Sequence, residues 1–553
     1  MSIWHSKGHH TPLAICPVLN IARPRRANQS GLHRPFRLSI GGRCCLLPLA
    51  MLLAVPAKAA TITAKTCSQS DVRSAVNSAA RGDTVTVPTG SCIWSSTLNL
   101  TKGITLAGAG VSSTAITASG GIVLVAVNPD STAIANSENI EVSGFSLDGA
   151  NSSTVLMTLQ GASGITDIKP YRYVIIANNK FQNLSPSGTG CIEAPGNGNG
   201  QIRGVIYNNT FDRCNEPMRL FSSNDTREWA NTAFNQFSYG SADNLYFENN
   251  TILFSSSYSG SNPGWIETGQ GARLVARYNS WNLANSTPQE IWDIHGFQNW
   301  NNTVDSGQTG TMLVEYYGNT LMNMGNYRWV HHRGSWGLYF DNILSGSGGN
   351  SFEIDQVQTG CPDYINPTPT NYTPQTNNTY AFNNTQNGIA KVAVTGPYGD
   401  NCDGGQNVGW WTEDVSCTAS ACSAGIGRGM TPPTGTCTTG VGFWVSATPT
   451  PTVSSSGIQN GSFYKCTATN TWTIYYKPYT YPHPLISGMP PPPATCDVNK
   501  DGTTNVSDVQ LEVNMALGVA SCTNDLNGDG TCNVIDVQRI VNAALGGQCV
   551  TGP

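Results

Sequence analysis

Charge is scarce in this 553-residue chain: only 11% of its residues are Asp, Glu, Lys or Arg. A surface helix needs a polar or charged stripe opposite its apolar one, and long segments with that 3.6-residue period are few. A helical bundle or coiled coil is thereby excluded as the main architecture. No C-x-x-C pair occurs, which removes the usual ligand spacing of a structural zinc site. No run beyond residue 59 is apolar and long enough to span a bilayer as a helix. Acidic residues are absent from residues 1–59, which hold eight cations: Lys7, Arg23, Arg25, Arg26, Arg34, Arg37, Arg43 and Lys58. Without that segment the 29 Lys and Arg fall to 21 against 34 Asp and Glu, a net charge of −13. So acidic a body is a poor match for nucleic acid.

Residues 1–59 read as a leader. Arg43 precedes the apolar run CCLLPLAMLLAVPA, and Ala57-Lys58-Ala59 forms an A-x-A cleavage signature, so export is expected, with a start codon downstream of Met1. Of 17 Cys, Cys16, Cys44 and Cys45 fall in the leader, leaving an even 14. They sit as Cys67/Cys92, Cys191/Cys214, Cys361/Cys402, Cys417/Cys422 and Cys437/Cys466, with four more in the last 60 residues. In an exported chain these read as disulfides.

What the chain has in abundance is Gly (59 residues) and one recurring phrase. It runs YVIIANNKF (173–181), GVIYNNTF (204–211), LYFENNTI (245–252), RLVARYNSW (273–281), MLVEYYGNTL (312–321) and GLYFDNIL (337–344). Its Asn falls at 179, 209, 250, 279, 319 and 342, in steps of 30, 41, 29, 40 and 23. Irregular steps around a constant phrase indicate coils of a solenoid whose loops vary in length. Alternating β-formers mark strands, and Asn tolerates the left-handed bend between them. Stacked coils would lay these Asn side chains in a ladder at the ~4.8 Å spacing of neighbouring strands.

Residues 67–110 supply a cap. Ser70 is placed to cap a short helix with Val72, Ala75, Val76 and Ala79 on one face, and Gly82-Asp83 then turns into the strand TVTVP. A helix there would cover the open strand edges of a solenoid end. The order helix, GDTVTVP, WSSTLNL, GITLAGAG, followed by IEVSGFSLDG (140–149), resembles the pectate-lyase-like β-helix proteins over about residues 65–350. That resemblance implies a right-handed parallel β-helix and a polysaccharide substrate. From 361 to 485 the Asn phrase stops and Cys, Thr, Pro and Gly dominate; GVGFWV (440–445) and FYKCTATNTWTIYYKPYTYPHPL (463–485) read as last coils and a C-terminal cap.

A Pro-rich linker (489–495) leads to two near-copies 28 residues apart. Asp497, Asn499, Asp501, Thr503, Asn505 and Asp508 occupy positions 1, 3, 5, 7, 9 and 12 of a loop, as do Asp525, Asn527, Asp529, Thr531, Asn533 and Asp536. Ca²⁺ needs six to eight oxygens, and Gly502 and Gly530 at position 6 permit the sharp turn. Loop plus one helix, twice, resembles a type I dockerin domain over 496–549, implying two Ca²⁺ and a cohesin-like partner. Val506-Ser507 and Val534-Ile535 replace the Ser-Thr pair often found at loop positions 10 and 11 of that family. The expected fold is thus all-β: a leader (1–59), a right-handed parallel β-helix (60–488), a linker, and a small α-helical dockerin-like Ca²⁺ module (496–553).

Aligning segments on a terminal Gly gives Trp265-Ile-Glu267-Thr268-Gly269, Trp292-Asp293-Ile-His295-Gly296 and Val330-His331-His332-Arg333-Gly334. Alternation then places Asp293, His295, His331 and Arg333 on one exposed face, with Thr268 one coil earlier. Trp292, Ile294 and His332 would lie beneath, and Glu193, Arg219 and Tyr317 nearby. Such a patch suits β-elimination on a uronate, whereas hydrolysis needs two carboxylates, for which Asp293 and Glu267 are the pair within reach. The polygalacturonase Asp-Asp and Gly-His-Gly motifs and the Asp set of pectate lyases are not recognisable. A satisfied polar ladder without chemistry, in a carbohydrate-binding or adhesin-like solenoid, is the alternative.

Overall fold

The computed structural model describes residues 59–159, 172–195, 202–221, 239–269, 271–296, 311–348, 351–355, 376–390, 394–395, 406–446, 461–486, 496–498, 504–518, 522, 524–527, 531–547 and 549–550. All but a few of the strands belong to three stacked sheets, A with twelve strands, B with eleven and C with ten, which the chain visits in turn. Neighbours in A and C run parallel, and B does so up to its antiparallel edge pair Thr385–Gln386 with Ile389–Ala390. This is a parallel β-helix. Its interior is one continuous core, from Val72 and Trp94 at the capped end through Phe181, Phe211, Phe247, Trp281 and Trp292 to Phe352 and Trp410.

The Asn ladder exists and sits at the bend from A to B. The backbone N–H of Asn179 donates to Asn209 Oδ1 at 3.0 Å, that of Asn209 to Asn250 at 2.9 Å, and that of Asn250 to Asn279 at 2.8 Å. The chain of bonds continues through Asn319 and Asn342. Each amide also donates to a strand carbonyl one coil back, as Asn250 does to Ile206 at 2.9 Å. The ladder is longer than the phrase implies: Asn342 donates to Asn384 Oδ1 at 3.2 Å, so TYAFNNTQ (379–386) adds a further coil within the region where the phrase was expected to stop. The left-handed conformation belongs to the residue before each ladder Asn. Asn178, Asn208, Asn249, Tyr278, Gly318, Asp341 and Asn383 have φ between 48° and 64°. One position bends the chain and the next satisfies the backbone it exposes.

The N-terminal helix spans Gln69–Ser78, buries Val72, Ala75 and Val76, and is capped by Ser68 rather than Ser70, with Asp71 N–H donating to the Ser68 side chain. Among the described residues six disulfides form: Cys67–Cys92, Cys191–Cys214, Cys417–Cys422, Cys437–Cys466, Cys496–Cys549 and Cys522–Cys532. Cys361 and Cys402 lie outside those residues, as do residues 1–58, where a leader was expected. No described helix is long and apolar enough to cross a membrane.

Residues 426–486 depart from the expectation of last coils. Strands Ile426–Gly429, Gly442–Val445, Ser462–Ala468 and Thr471–Tyr476 form a separate mixed sheet. It packs on the outer face of sheet A, burying Val205, Tyr246, Val275, Leu338, Phe340 and Phe382 beneath Phe443, Trp444, Phe463 and Tyr476. Phe382 stacks on Phe463 with centroids 5.5 Å apart. The YPHPL segment ends this cover. Arg277 and Glu248, both wholly buried, pair at 2.6 Å. Arg277 also donates to the Tyr479 and Thr480 carbonyls at 2.7 and 2.9 Å, and His483 N–H donates to Glu248 at 2.9 Å. Parallel strands buried on both faces read as near-continuous apolar runs, which is what YVIIA, LYF and MLV are.

In the C-terminal module, helices Val506–Ala516 and Val534–Ala544 begin with matching capping boxes, Asn505 with Asp508 and Asn533 with Asp536. Asn499, Asp501, Thr503 and Asp529 lie outside the described residues.

Candidate functional site

The outer face of sheet C carries a row in strict register: Glu193, Arg219, Glu267, Asp293, His331 and Glu353. Alternation along each strand sends these side chains outward. Ile266, Trp292, Val330 and Phe352 enter the core on one side of the row, and Thr268, Ile294, His332 and Ile354 on the other. Thr268 is thus interior, not part of the patch; its hydroxyl accepts from Thr311 Oγ1 at 3.0 Å. His332 is the satisfied core histidine, with Nδ1 2.7 Å from the Tyr339 hydroxyl. Tyr317 belongs to the covered face of sheet A, 3.0 Å from Arg277. Trp265, Trp292 and Trp329 are buried and offer no ring to a sugar, and Trp300 lies outside the described residues.

The four residues placed together from the sequence do share one face and do converge, but they are not exposed. Asp293 is 1% and His295 8% exposed, against the expectation of a solvated patch. Arg333 grips Asp293 through Nη2 at 2.5 and 2.6 Å and Nε at 3.1 Å. His295 Nε2 lies 2.8 Å from both Glu267 and Asp293. Glu267 also receives Arg219 Nε at 2.5 Å. On the next coil Arg328 joins Glu290 at 3.1 Å and Glu353 at 2.6 Å, while His331 Nδ1 faces Glu290 at 3.0 Å and Arg328 Nη1 at 2.6 Å. The carboxylates form the floor and the cation tips stand higher: Arg219 and Arg328 side chains are 28% and 29% exposed, Asp293 and Glu290 only 2% and 9%.

Burial shapes the protonation states. Burial alone would lower the His295 imidazole, but Asp293 and Glu267 outweigh it and raise it to about 9, so it is an imidazolium at neutral pH. Burial would raise Asp293; His295 and Arg333 instead hold it well below the usual carboxylate range. Glu267 is likewise lowered, the His295 bond overcoming its burial. Glu216 goes the other way: burial, with the Glu267 charge beside it, pushes its carboxyl well above the ordinary value. Two sets have the donor types and closeness of a cation site, Glu267/Asp293/His295 and Glu290/Asp293/His331. In each a guanidinium already stands at a histidine nitrogen, Arg333 at His295 (2.8 Å) and Arg328 at His331.

Sequence reasoning missed Glu216, Glu290, Arg328 and Glu353. Glu290 and Arg328 lie three residues before Asp293 and His331, out of phase with strict alternation. A register shift between Arg328 and Val330 helps turn Arg328 into the row. Glu353, flanked by Phe and Ile in SFEID, was legible by alternation alone. Glu216 precedes its strand, behind Pro217, and gave no signal.

No family model matches the sequence, and no curated protein matches it. Among solved structures, an alginate lyase from Paenibacillus sp. str. FPU-7 aligns at 12% identity over 62% of this chain and 99% of its own, with a TM-score of 0.27. ORF18 of Geobacillus virus E2 aligns at 10% identity over 73% of this chain and 72% of its own, also at 0.27. At that similarity neither neighbour bears on the chemistry of the row.

Proposed function

We propose that this chain is an exported protein that degrades acidic polysaccharide, cleaving it by β-elimination on the outer face of sheet C. The carrying observation is the contact between Arg328 Nη1 and His331 Nδ1 at 2.6 Å, beside Glu290. In a uronate the abstracted proton sits on the carbon bearing the carboxylate, so the base and the carboxylate-binding cation must be neighbours. Arg328 neutralises the carboxylate. In the resting site His331 Nδ1 accepts from Arg328 Nη1; once Arg328 turns to the substrate carboxylate, Nδ1–H pairs with Glu290 at 3.0 Å, the tautomer in which Nε2 is the basic nitrogen and takes the proton. The C–H electron pair becomes the double bond, the glycosidic C–O bond breaks, and the leaving oxygen collects a proton from the acid side of the row.

The test is a panel of polyuronates and neutral glycans, read by the ultraviolet absorbance of unsaturated uronate and by reducing ends. Absorbance should rise on a polyuronate and be lost in His331→Gln and Arg328→Leu. Reducing ends without absorbance would mean hydrolysis, for which Glu267 and Asp293 are the candidate carboxyls. Retardation in a polysaccharide gel with neither signal would mean a binding protein.

We also propose that the C-terminal module binds two Ca²⁺. The two loops offer all-oxygen donor sets, and Asn505 and Asn533 share the same backbone, with φ −145° at each. Asp508 and Asp536 are fully buried carboxylates, each accepting two backbone N–H groups. Bound Ca²⁺ would supply positive charge to these loops, and a cohesin-like protein is the partner class such a module fits. Calorimetry should find about two sites, with Asp501→Ala and Asp529→Ala each removing one; melting unchanged by chelator would refute it.

A further inference from the structure

The charges of the sheet C strip do not balance. Among the described residues it holds six carboxyls: Glu193, Glu216, Glu267, Glu290, Asp293 and Glu353. It holds five cationic groups even when both imidazoles are charged: Arg219, Arg328, Arg333, His295 and His331. Five of the six acids lie within 3.3 Å of a cation: Glu193 at 3.3, Glu267 at 2.5, Glu290 at 3.0, Asp293 at 2.5 and Glu353 at 2.6 Å. Glu216 is the exception, 3.8 Å from Arg219 Nε, which is already committed to Glu267.

Glu216 is 3% exposed. Its Oε1 accepts from Asn262 Nδ2 at 2.9 Å, and its Oε2 is buried without a hydrogen-bond partner. Among the described residues the charged groups around it are Arg219, three residues on, Glu267 across from it, and Glu193 sharing that same guanidinium. Glu216 is the one of these three carboxyls that is desolvated with no cation of its own, Glu267 having both Arg219 and His295, so ionising it beside a charged Glu267 carries a large cost.

We infer that Glu216 and Glu267 share one proton, and that this pair is the proton store that recharges His295 after it protonates the leaving sugar oxygen. The second clause rests on the proposed elimination; the first does not. The upward push on Glu216 from burial and from Glu267 agrees with it. The step balances: the proton removed from substrate by His331 leaves to solvent, the proton given by His295 ends on the new hydroxyl, Glu267, hydrogen-bonded with Glu216 and 2.8 Å from His295, passes the replacement, and the emptied pair takes a proton back from solvent. Glu216 is a positioning and supply residue, since it does not reach the surface.

The test is infrared spectroscopy of the full exported chain at mildly alkaline pH, where other buried carboxyls have ionised. A carboxylic acid C=O band that shifts in D₂O is expected in the wild type. It should vanish in Glu216→Gln. It should vanish equally in Glu267→Gln, because removing that charge frees the Arg219 guanidinium for Glu216 and lets Glu216 ionise. A band that survives Glu267→Gln means that burial alone holds the proton, and overturns the sharing. No Glu216-dependent band overturns it as well. For the supply role, Glu216→Gln should lower kcat on a polyuronate at least tenfold with KM unchanged and move the alkaline limb of the pH profile. An unchanged profile overturns that role, while the band result stands or falls independently of any turnover.

Discussion

Glu315 offers a direct probe of the cover on sheet A. It lies in the outward apolar row of that sheet, in register between Val275 and Leu338, and is completely buried. It accepts from Gly240 N–H at 2.7 Å and from Asn244 Nδ2 at 3.2 Å, too little to replace its hydration. Burial therefore raises its carboxyl from 4.5 to about 7. A raised pKa means that the folded state holds the proton more tightly than the unfolded one. The stabilisation is fully present below the unfolded value and is lost as pH climbs through about 7. A shift from 4.5 to about 7, at 1.36 kcal/mol per unit, amounts to roughly 3 kcal/mol of pH-dependent stability from this one group. Glu315→Gln keeps the acceptor oxygen and removes the titration. Denaturant unfolding of wild type and variant from mildly acidic to mildly alkaline pH should show the wild type losing about that much more than the variant. Asp341, also raised to about 7 by burial, contributes its own share, so Asp341→Asn and the double variant complete the set. If Glu315→Gln titrates in parallel with the wild type, the carboxyl is hydrated and the cover does not seal as described.

Arg277→Met should cost about 3–5 kcal/mol by stranding Glu248 as a buried charge, and Arg277→Met with Glu248→Leu should recover most of it; denaturation midpoints decide. Asn250→Leu removes a donor to Ile206 and an acceptor for Asn209 N–H, and should cost roughly 1–3 kcal/mol per orphaned group. A loss near zero would mean that water replaces the ladder. Asp293→Leu with Arg333→Met should abolish turnover while leaving the thermal midpoint level or higher, since well-packed apolar pairs often match buried ion pairs. A collapsed midpoint would make that pair scaffold.

The sequence was most legible where one residue does one local job. The Asn phrase fixed the coils because its two positions have separate duties, a left-handed bend and a backbone bond, and neither depends on distant parts of the chain. Phe247 and Trp292 entered the core by simple alternation. The cover was not legible, although YVIIA and MLV were already too apolar for a strand with one wet face. What the sequence withheld was which segment shields them, since Phe463 and Tyr476 lie between 81 and 237 residues downstream of the rings they meet there. The site was half legible for a related reason: Asp293, His295, His331 and Arg333 follow the period of two, whereas Arg328 joins through a register shift that no local pattern announces. Exposure was misjudged because outward on a solenoid was equated with wet.

The two outer faces show why the strip on sheet C stands apart from the scaffold. Sheet A solves the problem of a dry outer face in the way that favours stability, with Phe340, Tyr380 and Phe382 packed against Trp444 and Phe463 of the cover. The buried ion pair there, Arg277 with Glu248, is closed off by backbone groups of residues 479–483, which leave it no opening to solute. Sheet C brings five buried carboxyls together, Glu216, Glu267, Glu290, Asp293 and Glu353, yet lets Arg219 and Arg328 reach the surface. Apolar side chains at those positions would serve folding as well or better. On the proposed function, a face that keeps desolvated acids beneath accessible guanidiniums is one that a negatively charged solute would complete, and among the described residues it lies on a sheet that the C-terminal strands do not cover.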